Sequence, residues 1–278
     1  MRFFAPAKIN LSLRVVRRRE DGFHEIETLM VPLAIRDTLE IERGGGGLEF
    51  TCSDTTLPAD GTNLVVRAAR GFFDATRITQ GARIFLQKEI PHGAGLGGGS
   101  SDAATTLLAL DEIFESRLPL AELSRIAAAI GSDIPFFLAR GAAWCRGRGE
   151  IVELCAPHES PPSLPLLMMK PSFGVPTPWA YRRWRDSLEI PGVHYAPQTL
   201  GGITLVNDLE RPVFEKFIQL AEMKRWLIEQ PETAAALMSG SGSTMFAVLC
   251  DESCGPALEG RARAQFGPHT WFARTRTA

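Results

Sequence analysis

Between a segment with strand character, Arg83–Ile90, and one with helical character, from about Ser101 to Glu115, the chain reads Pro91-His92-Gly93-Ala94-Gly95-Leu96-Gly97-Gly98-Gly99-Ser100-Ser101. Five glycines in seven positions free the backbone for bends that a Cβ forbids. A strand running into such a loop and a helix leaving it aim exposed N–H groups at one point, which is an anion site. Ser100 and Ser101 add hydroxyls for phosphate oxygens or a cation. A flexible loop ended by a Ser/Asp helix cap is the plainer alternative. The small residues Ala103 and Ala104, which follow at once on a helix, favour phosphate binding. The segment is not GxxxxGK[ST], so a P-loop is excluded. An acid ~20 residues on, as in a dinucleotide-binding Rossmann unit, is also missing, because Glu112 and Glu115 fall too near and inside the helix. The HRD and DFG set of protein kinases is absent.

The chain has 278 residues, 45% hydrophobic and 22% charged, enough for a core without disulfide or metal support. The length favours two domains or one large one. Thirty basic against 32 acidic residues give a net charge of -2, which speaks against a general nucleic-acid binder. It leaves room for a local basic cleft that takes an anionic small molecule. Apolar runs such as Leu164–Met169 and Met245–Cys250 fall far short of the ~20 residues of a membrane helix, and MRFFAPAKIN lacks a signal-peptide core. Five cysteines without a CxxC pair read as reduced thiols, and a cytoplasmic location is expected. His92, His158, His194 and His269 show no metal-ligand spacing, and no dedicated metal site is expected.

The pattern along the chain is mixed. Ile9, Leu11, Leu13 and Val15 alternate with Lys8, Asn10, Ser12 and Arg14, a period-two strand. Residues 24–35 read as a second strand. Residues 37–43 and 48–52, flanking Gly44–Gly47, read as a hairpin. Helices are expected over 63–76, 101–115, 119–130, 133–139, 178–187, 212–229 and 252–266. Further strands are expected over 83–90, 142–154, 166–170, 237–239, 244–251 and 270–275. Helices and strands interleave irregularly, an α+β arrangement. Ala156–Pro165, with four prolines, is the best linker.

Two further places carry possible chemistry. Only five of the 30 basic residues are Lys, so a Lys beside an Asn on one strand face asks for a reason. Lys8 and Asn10 are either a solvated face or a site. In Gly131-Ser-Asp-Ile-Pro-Phe136, Asp133 is either a helix cap or a general base at a helix mouth.

PAKIN (6–10), DGFHE (21–25), PHGAGLGGGSSDAA (91–104), GSDIPFF (131–137) and MSGSGSTMFAV (238–248) occur in this order and together resemble the GHMP kinase superfamily. The glycine loop alone says no more than that. DGFHE and the PTP segment around Thr177 point within it to the kinases of a CDP-linked methylerythritol. The likeness runs from Ala5 to about Leu249.

The resemblance implies an α+β, two-domain GHMP kinase fold. Its N-terminal domain would be ribosomal-S5-like, its C-terminal domain ferredoxin-like, with the active site in the cleft between them. On this sequence that gives an ATP-binding domain over 1–155 and a second domain over 156–278, the last strand a candidate to return to the first. The implied reaction is ATP-dependent phosphorylation of the 2-hydroxyl in non-mevalonate isoprenoid biosynthesis, with Mg²⁺. Lys8 and Asp133 are the implied catalytic pair, and Pro91–Ser101 the ATP phosphate site. Asn63 and Leu64 fall near the adenine. Asn10, Phe23, His24 and Tyr181 fall on the substrate side, with Trp179 and Trp184 as alternatives to Tyr181. Gly240, Ser241 and Gly242 close the cleft. Ser100 or Ser101, the phosphates and water would hold Mg²⁺. No nucleic acid, membrane or obligate protein partner is implied. Phe23 departs from the Tyr frequent at its position, keeping the ring and losing a hydroxyl. A GHMP kinase of a small alcohol such as homoserine or mevalonate would have no use for the aromatic cluster. A nucleotide-binding module without turnover would have none for Lys8 and Asp133 together.

Overall fold

Strand β1, Arg2–Arg18, is covered on both faces from Ala7 to Leu13, so Lys8, Asn10 and Ser12 are not a solvated surface, whereas Arg14 is exposed. The computed structural model describes residues 1–278. Ala7, Ile9 and Leu11 are buried between two sheets, against Leu166, Met168, Phe246 and Val248. Burying each of the larger aliphatic side chains contributes ~1.5–3 kcal/mol, which ties the two sheets into one body.

The elements run β2 (His24–Gly44), β3 (Leu48–Cys52), α1 (Leu64–Thr76), β4 (Gly81–Gln87), α2 (Gly98–Phe114), α3 (Leu120–Ile130), α4 (Ile134–Ala139), β5 (Ala143–Gly147) and β6 (Ile151–Leu154). After the proline-rich stretch come β7 (Pro165–Lys170), α5 (Thr177–Arg183), β8 (Gln198–Leu200), β9 (Ile203–Asn207), α6 (Glu210–Lys216) and α7 (Ile218–Ile228). The chain ends with β10 (Thr233–Met238), β11 (Met245–Leu249), α8 (Gly255–Phe266) and β12 (Trp271–Arg276). The larger sheet has the order β3-β4-β2-β1-β9-β8, with β5 on β2 and β6 on β5; the smaller is β10-β11-β7-β12. The 21 residues of β2 give it room to pair with both β4 and β5 on the edge away from β1. Helices α1 to α4 cover the outer face of the larger sheet, with Phe72, Leu107, Leu110 and Phe136 packed on Leu39, Ile41 and Ile84. Helices α6, α7 and α8 cover the smaller sheet, with Phe214, Leu220 and Leu258 packed on Met169, Ala247 and Leu249. The result is the mixed α+β, two-sheet layout that the resemblance implies.

Several local expectations are corrected. Residues 37–43 and 48–52 do not form a hairpin, because β4 inserts between them and β3 pairs with β4 in parallel. The glycine tip wraps the start of β4, with Gly81 N–H donating to Gly45 O at 2.8 Å and Ala82 N–H to Gly47 O at 3.1 Å. Residues 142–154 form two strands, β5 and β6, with a turn between them. The helix expected over 212–229 breaks at Phe217, which leaves helical angles (φ -110°, ψ 69°) and stacks on Phe173 at 5.3 Å. Hairpin β8–β9 lacks a strong alternating signal in the sequence. It comes from the C-terminal half yet joins the larger sheet, β9 lying parallel to β1 at Ser12–Val206 and Leu13–Asn207. Strand β12 pairs with β7, and it meets the larger sheet through an isolated bridge, Leu33 to Thr277, and a hydrogen bond from Ile35 N–H to Thr275 Oγ1 at 3.2 Å. No helix is long and apolar enough to cross a membrane. All five cysteines are free.

Candidate active site

A cleft of about 600 Å³ opens where the polar face of β1 meets the glycine loop, the start of α4, the turn before β2, the start of α5 and the 240–242 loop. Lys8 sits at its floor, buried. Its Nζ donates to Asn10 Oδ1 at 2.7 Å and to Gly95 O at 3.0 Å. Asp133 Oδ2 stands 3.7 Å away, outside hydrogen-bond range. Burial lowers the Lys8 pKa from its usual value, and the Asp133 carboxylate works against that shift. Asn10 is oriented in turn. Its Nδ2 donates to Thr28 Oγ1 at 2.7 Å, and Thr28 spends its own hydrogen on Ser12 O at 2.6 Å. Thr28 can therefore only accept from Asn10, which fixes the amide oxygen toward Lys8.

Asp133 occupies the N-cap position of α4 but makes no side-chain cap hydrogen bond. The cap reading therefore falls away, and the carboxylate is free, with more than a third of its side chain exposed.

The glycine loop alternates between core and cleft. Ala94 and Leu96 are buried in the layer between the sheets, whereas Gly93, Gly95 and Gly97 line the cleft. Gly97 has φ +68°, and a Cβ there would lie 2.9 Å from the Phe137 ring and 3.0 Å from Lys8 Cγ. Helix α2 starts at Gly98, inside the glycine run, and no side chain caps it. Its first-turn N–H groups and the positive end of its dipole are left for an anion. Behind that turn, Lys88 Nζ donates to Asp102 Oδ2 at 2.9 Å and pairs with Asp37. Asp37 Oδ1 accepts from the N–H groups of Glu89 and Ile90, at 2.6 and 2.9 Å. Burial pushes Asp102 up to about 8, the Lys88 charge offsetting part of the effect. Burial alone would lower Lys88, but Asp102 and Asp37 carry it above its usual value. Ser101 Oγ, buried in the first turn of α2, has no partner in the protein.

The other end of the cleft is aromatic. The Tyr181 ring stacks on His24 at 5.4 Å and 28°. The Arg148 guanidinium lies 4.9 Å over Phe23. Burial, and then the Asp133 charge, raise the Tyr181 hydroxyl pKa, keeping it neutral. Trp184 meets His24 edge-on at 6.2 Å, and Trp179 packs on Phe217 at 5.8 Å; neither lines the cleft. Cys145 is pushed up to about 12 by burial, so it is a thiol and not a thiolate nucleophile.

Residues 63–141 match the model of the GHMP kinases N terminal domain. The chain is 42% identical over 274 residues to 4-diphosphocytidyl-2-C-methyl-D-erythritol kinase of Methylacidiphilum infernorum, covering 97% of this chain and 94% of that one. The chain belongs to the 4-diphosphocytidyl-2-C-methyl-D-erythritol kinase family. The Syntrophus aciditrophicus member is 37% identical, with 91% of each chain covered. A crystal structure of 4-(cytidine 5'-diphospho)-2C-methyl-D-erythritol kinase superposes over 100% of both chains with a TM-score of 0.79 and 36% identity. A homoserine kinase from Cytophaga hutchinsonii, 16% identical with a TM-score of 0.66, shares the fold.

Within this family member, the cleft gathers Lys8, Asn10, Phe23, His24, Asp133 and Tyr181, together with Gly240, Ser241 and Gly242. Pro91, His92, Gly98, Gly99, Ser100 and Ser101 lie beyond its lining, and so do Asn63 and Leu64. The Asn63 side chain is engaged in holding α1: Oδ1 accepts from Val65 N–H at 2.9 Å, and Nδ2 donates to Pro58 O at 2.8 Å. Leu64 borders Gly99, at the outer end of the glycine loop. Sequence reasoning missed Thr28 and Arg148. Thr28 reaches Asn10 only through the β1–β2 register, and Arg148 reaches Phe23 only through the β5–β6 turn, so neither carried a local signal. No group of three or more His, Cys, Asp or Glu is arranged to hold a metal.

Proposed function

We propose that the chain transfers the γ-phosphoryl group of ATP to the 2-hydroxyl of 4-diphosphocytidyl-2-C-methyl-D-erythritol, in non-mevalonate isoprenoid biosynthesis. The observation that carries the reading is one cleft with an uncapped glycine-loop helix, a Lys8–Asp133 pair and an aromatic wall. Phosphoryl transfer asks for positioning and charge stabilisation more than for covalent help. Asp133, free of any cap bond, accepts the proton of the attacking hydroxyl. Lys8, held by Asn10 and Gly95, offsets charge on the transferred group. The α2 N-terminus and Pro91–Ser101 bind the ATP phosphates, with Asn63 and Leu64 toward the adenine. Phe23, His24 and Tyr181 hold the cytosine, and Gly240-Ser241-Gly242 closes over the substrate. In this reading residues 1–155 supply the ATP site and residues 156–278 the second wall.

Mg²⁺ fits the donor set. Ser101 Oγ is an orphaned hydroxyl and Ser100 a half-buried one in the same turn, and phosphate oxygens and water would complete an octahedron. When bound, the ion neutralises phosphate charge.

The test is ADP release measured with the cytidine-linked alcohol, its uridine analogue, unconjugated methylerythritol 4-phosphate, homoserine and mevalonate. Turnover confined to the cytidine-linked alcohol is expected. Equal use of the methylerythritol compounds removes the cytidine pocket, and turnover of homoserine or mevalonate moves the chain to another branch of the superfamily.

A further inference from the structure

Three side chains of one segment, Gln198, Asn207 and Glu210, converge on a short stretch of backbone 28 to 38 residues further along the chain. Asn207, at the end of β9, is buried, and its Nδ2 spends both hydrogens on the main chain, donating to Met238 O and to Gly240 O, each at 2.7 Å. Its Oδ1 accepts from Leu209 N–H at 2.9 Å, which locks the amide's orientation. Glu210, also buried, accepts from Met238 N–H at 2.8 Å through Oε1, while its Oε2 pairs with buried Lys224. Two residues earlier on β10, Gln198 Nε2 donates to Ala236 O at 2.8 Å and its Oε1 accepts from Ala236 N–H at 3.1 Å. Strand β10 is a sheet edge, and side chains from the β8–β9–α6 segment pair with it as a neighbouring strand would.

A buried ion pair is weak grounds for stability, because desolvating two charges offsets their attraction. Here Lys224 engages one oxygen of Glu210 while the other accepts from Met238 N–H. Strand β9 is hydrogen-bonded beside β1, with Asn207 opposite Leu13. Gly240, held by Asn207, lies so close to the floor of the cleft that a Cβ there would stand 3.2 Å from Asn10 Oδ1 and 3.3 Å from Lys8 Nζ. The same loop meets the glycine loop through Ser239 Oγ donating to Gly95 O at 3.0 Å and Thr244 N–H donating to Ala94 O at 3.0 Å.

We propose that Asn207 is a positioning residue: with Glu210 and Lys224 behind it, it fixes the 239–243 loop against Lys8 and the glycine loop, setting the height of the cleft in which the hydroxyl is aligned. The proposal rests on the kinase reading above. A loop released by a fraction of an ångström to an ångström misaligns the reacting groups, and such a shift costs on the order of 10²-fold in rate.

The test compares the full-length wild type with Asn207→Leu, close in shape without donors, and Asn207→Asp, which keeps the acceptor for Leu209 N–H. Asn207→Leu is expected to lower kcat ~10–100-fold while its affinity for an ATP analogue stays within about twofold. Asn207→Asp places a carboxylate against two carbonyl oxygens, and protonation restores one donor. Its kcat relative to wild type should therefore rise as pH falls from 8 to 6, while the Asn207→Leu ratio stays flat. A purely structural role lowers the melting temperature without producing that pH-dependent ratio. The proposal is overturned by a folded Asn207→Leu enzyme with wild-type kcat, or by an Asn207→Asp ratio that does not change with pH. If Asn207→Leu is insoluble, the Asn207→Asp profile decides alone. A wild type without activity on the cytidine-linked alcohol refutes the kinase reading instead.

Discussion

Lys8 Nζ stands 3.7 Å from Asp133 Oδ2, near enough for the two charges to act on one another and too far for a direct hydrogen bond. The separation suits a third polar atom that donates to the carboxylate and accepts from the ammonium, which is what a hydroxyl does. Neither residue is tied up elsewhere in a way that prevents this. Lys8 has spent two of its three donors, and Asp133 caps no helix.

The pair is tested by substitution. Asp133→Asn and Lys8→Met should each lower kcat by ~10²–10⁴, the scale of a general acid–base group, with ATP-analogue affinity largely kept. Steady-state ADP release and calorimetric titration give the two numbers. Near-normal kcat in Asp133→Asn would leave Asp133 without a catalytic part.

The phosphate loop is tested at Gly97. With φ +68° and Phe137 and Lys8 within about 3 Å of any Cβ, Gly97→Val meets both an unfavourable backbone angle and a steric clash. ATP-analogue binding should be lost while the circular dichroism spectrum stays native. Unchanged affinity in a folded variant would reduce the loop to a linker.

The aromatic end is tested by Tyr181→Ala and Phe23→Ala. Base stacking contributes ~1–3 kcal/mol, so each should raise KM for the cytidine-linked alcohol by roughly 5- to 150-fold and leave KM for ATP nearly unchanged. His24 loses its stacking partner in Tyr181→Ala, so that variant should be the more severe. A parallel rise in both KM values would mean general damage to the cleft.

The buried Asp102 predicts a pH dependence of stability. Its folded pKa, about 8, lies above that of an unfolded carboxylate, so the folded state holds a proton that the unfolded state has released. Stability from this group is full below the unfolded pKa of ~4 and declines as pH rises toward and through 8. Asp102→Asn, which keeps an acceptor for Lys88, should remove that component. The difference in melting temperature, variant minus wild type, should grow from pH 5 to pH 8 and then level off. A constant difference would show that Asp102 is ionised throughout.

Much of the site was legible locally because glycine, strand alternation and helix starts are short-range signals. The run from Gly93 to Gly99 marked a sharply bending loop between strand and helix, and the structure adds that Ala94 and Leu96 anchor it in the core. The pairing of Lys8 with Asn10 on one strand face was also readable from period two. Its burial was not, because a strand covered on both faces carries no mark of where its polar side points. Asp133 could be read as cap or base from sequence, and only the missing cap bond removes the first. The hairpin expected over 37–52 failed for a related reason. Adjacent strands pair by default, and nothing local signals that β4, 30 residues on, takes the place between them.

By itself the sequence determined that the chain is α+β, that it carries a glycine-rich loop running into a helix, and which side chains are chemically able to serve a site there. These follow from backbone freedom and side-chain periodicity within a few residues. Only the tertiary structure decided that β9 crosses into the first sheet, that Thr28 orients Asn10, that Tyr181 and not Trp179 or Trp184 lines the cleft, and that Asn207 reaches the 239–243 loop. Each of these depends on register and packing between segments far apart in the chain. Such contacts are selected by burial of apolar surface and pairing of backbone groups over the whole molecule, and no window of sequence contains both partners.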